Sequence, residues 1–420
     1  MNHLGRLIAL AFIFLTTSVC WLALSGVTWD RSASQRRDLS SDVADLWGRP
    51  LDQRAPALRF EWVEKERREE RYQDASGAEH LRLVDVDATR SVPVEPDATR
   101  LVVDLHQDVR RKGLVWFPLY DVDFAGTWTV THGQGRAGTL VIPWRFPDPG
   151  AFYDNFHLRV DGVERQVTLT PGANTAEVAI AVQPGQTITF DVTYRSRGDE
   201  TWTYLPYDGV GELRDFSLAM TTDFDAIDYP AGTLSPSTRD AQGDGWHLTW
   251  SFDRMITGKG MGMVVPCPIQ PGELASAMSL SAPISLLLFM VWIHALGLLR
   301  GIDVHPVNHA LLAAAFFSFH LLFAYVADHL PVEQAFAVAA VTSVVLVVTY
   351  LYRVVSPRFA LVEAGGAQLV YLVGFAAAHF LEGFTGLTVT VIGIATLFAL
   401  MQLTSHVRWT EAFAGRAEPA

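Results

Sequence analysis

MSLSAPISLLLFMVWIHALGLL, residues 278–299, contains no Asp, Glu, Lys or Arg, and its length decides the class of protein. The hydrocarbon core of a bilayer is about 30 Å thick and a helix rises about 1.5 Å per residue, so roughly 20 mostly apolar residues span it. Four further windows pass the same test: 309–327, 332–352, 361–381 and 385–405, separated by short polar turns. The region 278–406 therefore reads as a bundle of five transmembrane helices.

A sixth apolar run, Leu7 to Val27 (7–27), follows Arg6 and precedes the long segment 30–275, which offers no further span. It is either a cleaved signal peptide or the first transmembrane helix. Ala23 and Ser25 supply a small-x-small pattern, but the run exceeds the roughly 7–15 residues of a signal core and holds bulky Trp21 near the site. A retained helix is the better reading.

Orientation follows from positive charge, which stays on the cytoplasmic side in short loops. Arg300 lies between the first pair of C-terminal helices, Arg353 and Arg358 in the third loop, and Arg408 and Arg416 beyond the last helix. The alternate loops carry Asp328, His329 and Glu333, then Glu382, without Lys or Arg. The expectation is an N-terminus inside, a large domain outside, and a cytoplasmic tail at 407–420. Arg31, Arg36 and Arg37 lie on the wrong side for this rule, among Asp30, Asp38, Asp42 and Asp45.

Half of the residues are hydrophobic, 18% are charged and the net charge is −13. That balance makes nucleic acid a poor partner, since phosphate binding needs clustered Lys and Arg. The two cysteines, Cys20 and Cys267, cannot staple the outer domain internally. A domain of this size buries enough core to fold without disulfides.

The outer segment reads mainly as β-structure. Residues 38–47 (DLSSDVADLW) show the stripe of a short helix through Leu39, Val43 and Leu46. After Pro56 the pattern alternates. LRFEWVEKE (58–66) and HLRLVDVDA (80–88), joined through Ala75-Ser76-Gly77, read as a hairpin with one wet face. LVVDL (101–105), LVWFPLYDVDF (114–124), GTWTVTHG (126–133) and GTLVIPWRF (138–146) continue as strands, and WHLTWSFDRM (246–255) is a late one. Short β-branched runs at regular spacing, joined by Asp-Gly and Pro-Gly turns, favour a β-sandwich or stacked sheets over a βαβ fold.

Catalytic signatures are sparse. Gly258-Lys259-Gly260-Met261-Gly262 lacks the phosphate-loop spacing and reads as a loop approaching the membrane. His305 and His309, with Pro306 between them, have an i, i+4 spacing that would suit a metal, but they lack a third ligand nearby and read as capping or hydrogen-bonding groups. No catalytic, cofactor-binding or metal-ligating residue is assigned. Polar groups inside a membrane are costly and mark function. His320, Glu363 and His379 are the intramembrane candidates, beside His294, Gln368 and Gln402. Asp328, His329, Glu333 and Glu382 form a candidate polar patch at the outer helix ends. The bland reading of both sets is interhelical hydrogen bonding and terminal solvation. Gly365-Gly366 and Gly374 read as close-packing sites. Of the outer aromatics, most belong in a core, whereas Trp202, Tyr204 and Tyr207 in TWTYLPYDGVGELRDF (201–216) mark an exposed aromatic loop, because Pro and Gly interrupt the strand pattern.

HPVNHALLAAAFFSFHLLFAYVADHLPVEQAFAVAAVTSVVLVVTYL (305–351), LVYLVGFAAAHFLEGFTGL (369–387) and MQLTSHVRW (401–409) resemble the C-terminal membrane region of the CreD inner-membrane protein family. VRRKGLVWFPLYDVDFAGTW (109–128) resembles that family's Arg-x-Gly segment, its Pro-x-Tyr and a following Phe-x-Gly strand. Ala327-Asp328-His329 stands where the family has Ser-Glu-His, and Glu382-Gly383 where it has Glu-Asp. The resemblance implies a six-helix inner-membrane protein of Gram-negative bacteria with a periplasmic β-domain, linked to envelope integrity and the response to cell-wall damage. It brings no catalytic residue. The expectation is a non-enzymatic protein that binds an envelope component or a protein partner through its β-domain while the bilayer holds its helices. The alternative is a membrane enzyme or ion-coupled transporter acting between the β-domain and the outer helix ends, although broken helices or inverted halves are not evident.

Overall fold

A computed structural model describes residues 3–73, 79–113, 115–170, 173–302, 304–381 and 383–405. The turn at Ala75-Ser76-Gly77, Glu382 and the tail 407–420 lie outside the described residues. The chain divides into two compact units, one of residues 1–38, 113–115 and 269–420, the other of residues 39–112 and 116–268.

The first unit is helical. Among the described residues, six helices are long and apolar enough to cross a membrane: α1 (His3–Trp47), α2 (Pro271–Arg300), α3 (Pro306–Val326), α4 (Val332–Val354), α5 (Phe359–Phe380) and α6 (Thr385–Thr404). Local chemistry sets their ends. Pro271 opens α2 at a position where its missing N–H costs nothing, and Gly301 closes it in the left-handed region at φ 65°. At α3, the His305 ring accepts a hydrogen bond from the Val307 N–H at 3.3 Å, so His305 caps the helix that Pro306 begins. The apolar run at 7–27 and the short helix at 38–47 are one continuous helix, because no residue between them breaks it.

Helix α5 is not a regular α-helix. Wide π-turns occupy Phe359–Ala364 and Leu369–Gly374. Gly365 lies against α4, where an added Cβ would stand 3.4 Å from Val348 Cγ2, but nothing lies within 4 Å of such a Cβ at Gly366. Gly365 is thus the close-packing glycine of the pair. Phe289, Phe316, Phe319 and Phe323, all buried, form the centre of the bundle with Trp21 and Tyr371.

Among the described residues, the second unit holds three sheets. The smallest orders β1 (Leu51–Arg54), β12 (Thr201–Leu205) and β16 (Met261–Val264). The next orders β3 (Glu79–Pro93), β2 (Arg59–Gln73), β6 (Gly138–Arg145), β10 (Thr175–Val182) and β9 (Thr168–Leu169). The largest begins with β14 (Thr238–Gln242), β15 (Gly245–Thr257), β13 (Gly211–Thr222) and β4 (Ala98–Lys112). It continues with β5 (Val115–Thr131), β11 (Thr187–Asp199), β7 (Asp154–Val160) and β8 (Val163–Glu164). Residues from all three sheets share one core in which Trp128, Trp144, Trp202 and Trp250 are fully buried.

Three expectations need correction. Residues 115–124 and 126–131 of the two expected runs belong to one strand, β5, which passes through Gly126 without a break. An added Cβ there would meet the Trp128 ring at 2.3 Å and Leu101 at 2.9 Å, so the glycine makes room for the indole. The hairpin of β2 and β3 has no dry face over most of its length. β2 pairs with β6 only from Arg59 to Glu61, and beyond Trp62 the two strands form an exposed ribbon. Trp202 and Tyr204 are not on an exposed loop. They lie on β12, the central strand of the small sheet, at 0% and 1% exposure. Pro206 and Gly209, which suggested a loop, begin only after that strand ends.

Candidate functional site

A cleft of about 540 Å³ opens in the β unit where β1, β6 and β12 end, beside the segment 55–58. That volume falls in the range of roughly 300–1,000 Å³ typical of ligand sites. Buried Trp128 and Tyr204 line it, and Pro56, Pro143 and Pro206 stiffen its walls. Its charged groups are Arg54, Arg59, Arg145, Arg214, Glu95 and Asp208, beside the Tyr207 phenol.

Most of these charges are already paired. Arg54 bonds Asp208. Arg59 Nε donates to Glu61 Oε1 at 2.7 Å and Nη2 to Glu177 Oε1 at 3.2 Å, and these carboxylates, Glu61 foremost, hold the guanidinium above its ordinary value. Arg214 Nη2 lies 2.5 Å from Glu212 Oε2. Arg145 is exposed and, among the described residues, has no side-chain partner. Tyr207, half-buried, places its hydroxyl 2.9 Å from Glu95 Oε2 and 2.5 Å from the Glu212 carbonyl oxygen. Burial, and then the Glu95 carboxylate, push the phenol above its ordinary value, so it acts as a donor. Of the three aromatics expected to be exposed, Tyr207 alone reaches partial exposure, and Tyr204 meets the cleft from within the core.

In the helical unit, Asp328 is bound by Arg31 of α1, Nη2 to Oδ2 at 2.6 Å, while the same guanidinium lies 5.5 Å from the Tyr325 ring centroid. This ion pair gives Arg31, just past the apolar run of α1, a carboxylate partner from the turn after α3. His329 and Glu333 are exposed, and their side chains have no hydrogen-bond or ion-pair partner among the described residues. The expected patch is thus an Arg31–Asp328 pair with two solvated neighbours, and Glu382 lies outside the described residues.

The intramembrane candidates separate into three environments. Glu363 receives Arg300 Nη1 at 2.6 Å on Oε1, while its Oε2 is buried without a partner among the described residues. His320 is buried, with Nδ1 3.2 Å from the Phe316 carbonyl oxygen and its ring edge-on to Trp21 at 5.5 Å. His379 Nε2 lies 3.1 Å from Ser281 Oγ. A further polar contact is buried at the α4–α5 packing surface. Gln368 Nε2 donates to Ser343 Oγ at 2.9 Å, and Ser343 Oγ donates to the Ala315 carbonyl oxygen at 2.7 Å. Ser343 and Arg31 were the partners that sequence reasoning missed. The described residues contain no group of three or more His, Cys, Asp or Glu that would hold a metal ion.

These features define a multi-pass membrane protein with a large, mostly-β unit between its first and second helices. The family described as inner membrane protein CreD matches residues 282–410, the C-terminal helical part of the chain, and that match supports a CreD-family assignment. No curated protein sequence matches the chain. Among solved structures, a Legionella pneumophila protein described as a candidate nutrient binding protein aligns at 10% identity and a TM-score of 0.32, over 59% of this chain and 97% of its own. An M1 zinc metallopeptidase from Deinococcus radiodurans aligns at 10% identity and a TM-score of 0.27, over 78% and 95%. Likeness at that level carries no argument about fold or function.

Proposed function

We propose that this chain is a non-enzymatic inner-membrane protein supporting cell-envelope integrity, whose β unit lies in the periplasm and binds an envelope component or a partner protein through the cleft at Arg145 and Tyr207. The observation that carries the reading is the cleft itself. It combines ligand-sized volume, stiff proline walls, a donor phenol and an uncompensated cation. The paired state of Asp328 favours this reading over a reactive or transport site at the helix ends, since a committed ion pair is a structural role.

The test is complementation of a strain lacking the protein, scored by detergent and β-lactam sensitivity at matched membrane abundance. Ser91→Trp fills the cleft and Arg145→Glu reverses its spare charge; both are expected to lose rescue. Asp328→Asn, His329→Gln and Glu382→Gln are expected to keep it. Full rescue by the cleft variants with loss in the helix-end set would instead establish the enzyme or transporter reading.

A further inference from the structure

The β-unit cleft is lined by one cation and one carboxylate that stand apart from its ion pairs. Arg145, at the end of β6, and Glu95, just past β3, both line it. Both are exposed, and neither has an ion-pair partner among the described residues. The other charges are engaged with one another: Arg54 with Asp208, Arg59 with Glu61 and Glu177, and Arg214 with Glu212. Glu95 and Arg145 flank the segment 55–58 from opposite sides. On one side the Val94 N–H donates to the Leu58 carbonyl oxygen at 3.0 Å, which sets Glu95 alongside that segment. On the other, β6 pairs with β2 at Val141 and Arg59, and Gln53 Nε2 lies 3.5 Å from the Arg145 carbonyl oxygen. Two strand spacings therefore separate their backbones, a distance on the order of 10 Å. The Tyr207 hydroxyl, donating to Glu95 Oε2 at 2.9 Å, orients the carboxylate.

We infer, on the footing of the cleft proposed above as the binding site, that its ligand is a short peptide bound as a zwitterion, with the free carboxylate at the Arg145 guanidinium and the free ammonium group at the Glu95 carboxylate. An extended chain advances roughly 3.3–3.6 Å per residue, so two or three residues cover a gap of that order. A zwitterion gives each of the two charges a partner, whereas a simple anion would meet Arg145 and be repelled by Glu95. The guanidinium fork matches a carboxylate in geometry as well as charge. Trp128 and Tyr204, buried at the cleft wall, offer an apolar side chain of the peptide an aromatic surface.

The test is isothermal titration calorimetry of the full chain in nanodiscs with Ala-Leu-Ala and with its N-acetylated, C-amidated and doubly blocked forms. Wild type is expected to bind the free tripeptide, and each single block should weaken binding about tenfold, the loss of one charge-assisted contact. Glu95→Gln, which keeps an acceptor for Tyr207, should weaken the free tripeptide about tenfold and cease to distinguish it from the N-acetylated form. Arg145→Gln should likewise cease to distinguish the free from the C-amidated form. Ser91→Trp, which fills the cleft, should bind none of them. Absence of binding to the free tripeptide by wild type would overturn the inference, as would equal affinity for the doubly blocked form or for free leucine. Discrimination in either charge variant as strong as in wild type would do the same. If that happens while Ser91→Trp and Arg145→Glu still lose rescue in the complementation assay, the cleft stands and its ligand is of another class. Rescue by those two variants would remove the cleft itself.

Discussion

Arg31 and Asp328 form an ion pair between α1 and the turn that follows α3. Their side chains are 33% and 10% exposed, between the regimes in which an ion pair is nearly neutral and in which a lone partner is strongly destabilising. A double-mutant cycle with Arg31→Gln and Asp328→Asn, followed by unfolding in detergent, is expected to give a coupling of about 1–2 kcal/mol. At Gly126, where a Cβ would overlap the Trp128 ring, Gly126→Ala is expected to destabilise the β unit by about 1–3 kcal/mol, the usual cost of overpacking, measured by tryptophan fluorescence on denaturation. Glu212 has a lowered pKa through hydrogen bonds from Arg214 and then Arg254. Its folded value lies below its unfolded one, so its contribution is complete above about pH 4.3 and is lost as the pH falls through the folded value. Wild type should therefore lose more stability than Glu212→Gln between neutral and acid pH, a difference that added salt reduces.

The β2–β3 ribbon and helix α5 depart most from what their own residues suggest. EKERREER (64–71) alternates charge rather than polarity, so neither face can be dry, and the strands hold together through their mutual ladder. Replacing 64–88 by Asn-Gly, which joins the paired Val63 and Thr89 through a two-residue turn, should shift the unfolding temperature of the β unit by no more than about 2 °C. A larger loss would mean that the ribbon packs on the unit. Turn chemistry was easier to read. Asp161 and Gly162 both take positive φ, 49° and 75°, between the paired Val160 and Val163, as an Asp-Gly hairpin turn requires. The π-turns of α5 had no such local signal, because Gly365, Gly366 and Gly374 are compatible with either helix.

The two cysteines report on the orientation proposed for the whole chain. Cys267 is exposed in the β unit, while Cys20 is exposed on a face of α1 within its apolar run. With the β unit in the periplasm, a membrane-impermeant maleimide should label Cys267 in spheroplasts, and Cys267→Ser should abolish the signal, since Cys20 sits within the apolar run of α1, out of an impermeant reagent's reach. Labelling only in inverted vesicles would reverse the topology. Membrane class and the number of spans were legible in the chain because bilayer thickness turns them into a local test of length and hydropathy. Strand alternation and the Asp-Gly turn are local in the same sense. The placement of Trp202 and Tyr204 was not, because burial of a strand depends on its neighbours, and β1 and β16, which flank β12, are distant in sequence. The same holds for Arg31 with Asp328, Arg300 with Glu363, and the converging strand ends that make the cleft. Hydrophobic periodicity records which residues leave water, whereas which polar groups then meet is set by packing between segments far apart in the chain, and only the tertiary structure decides it.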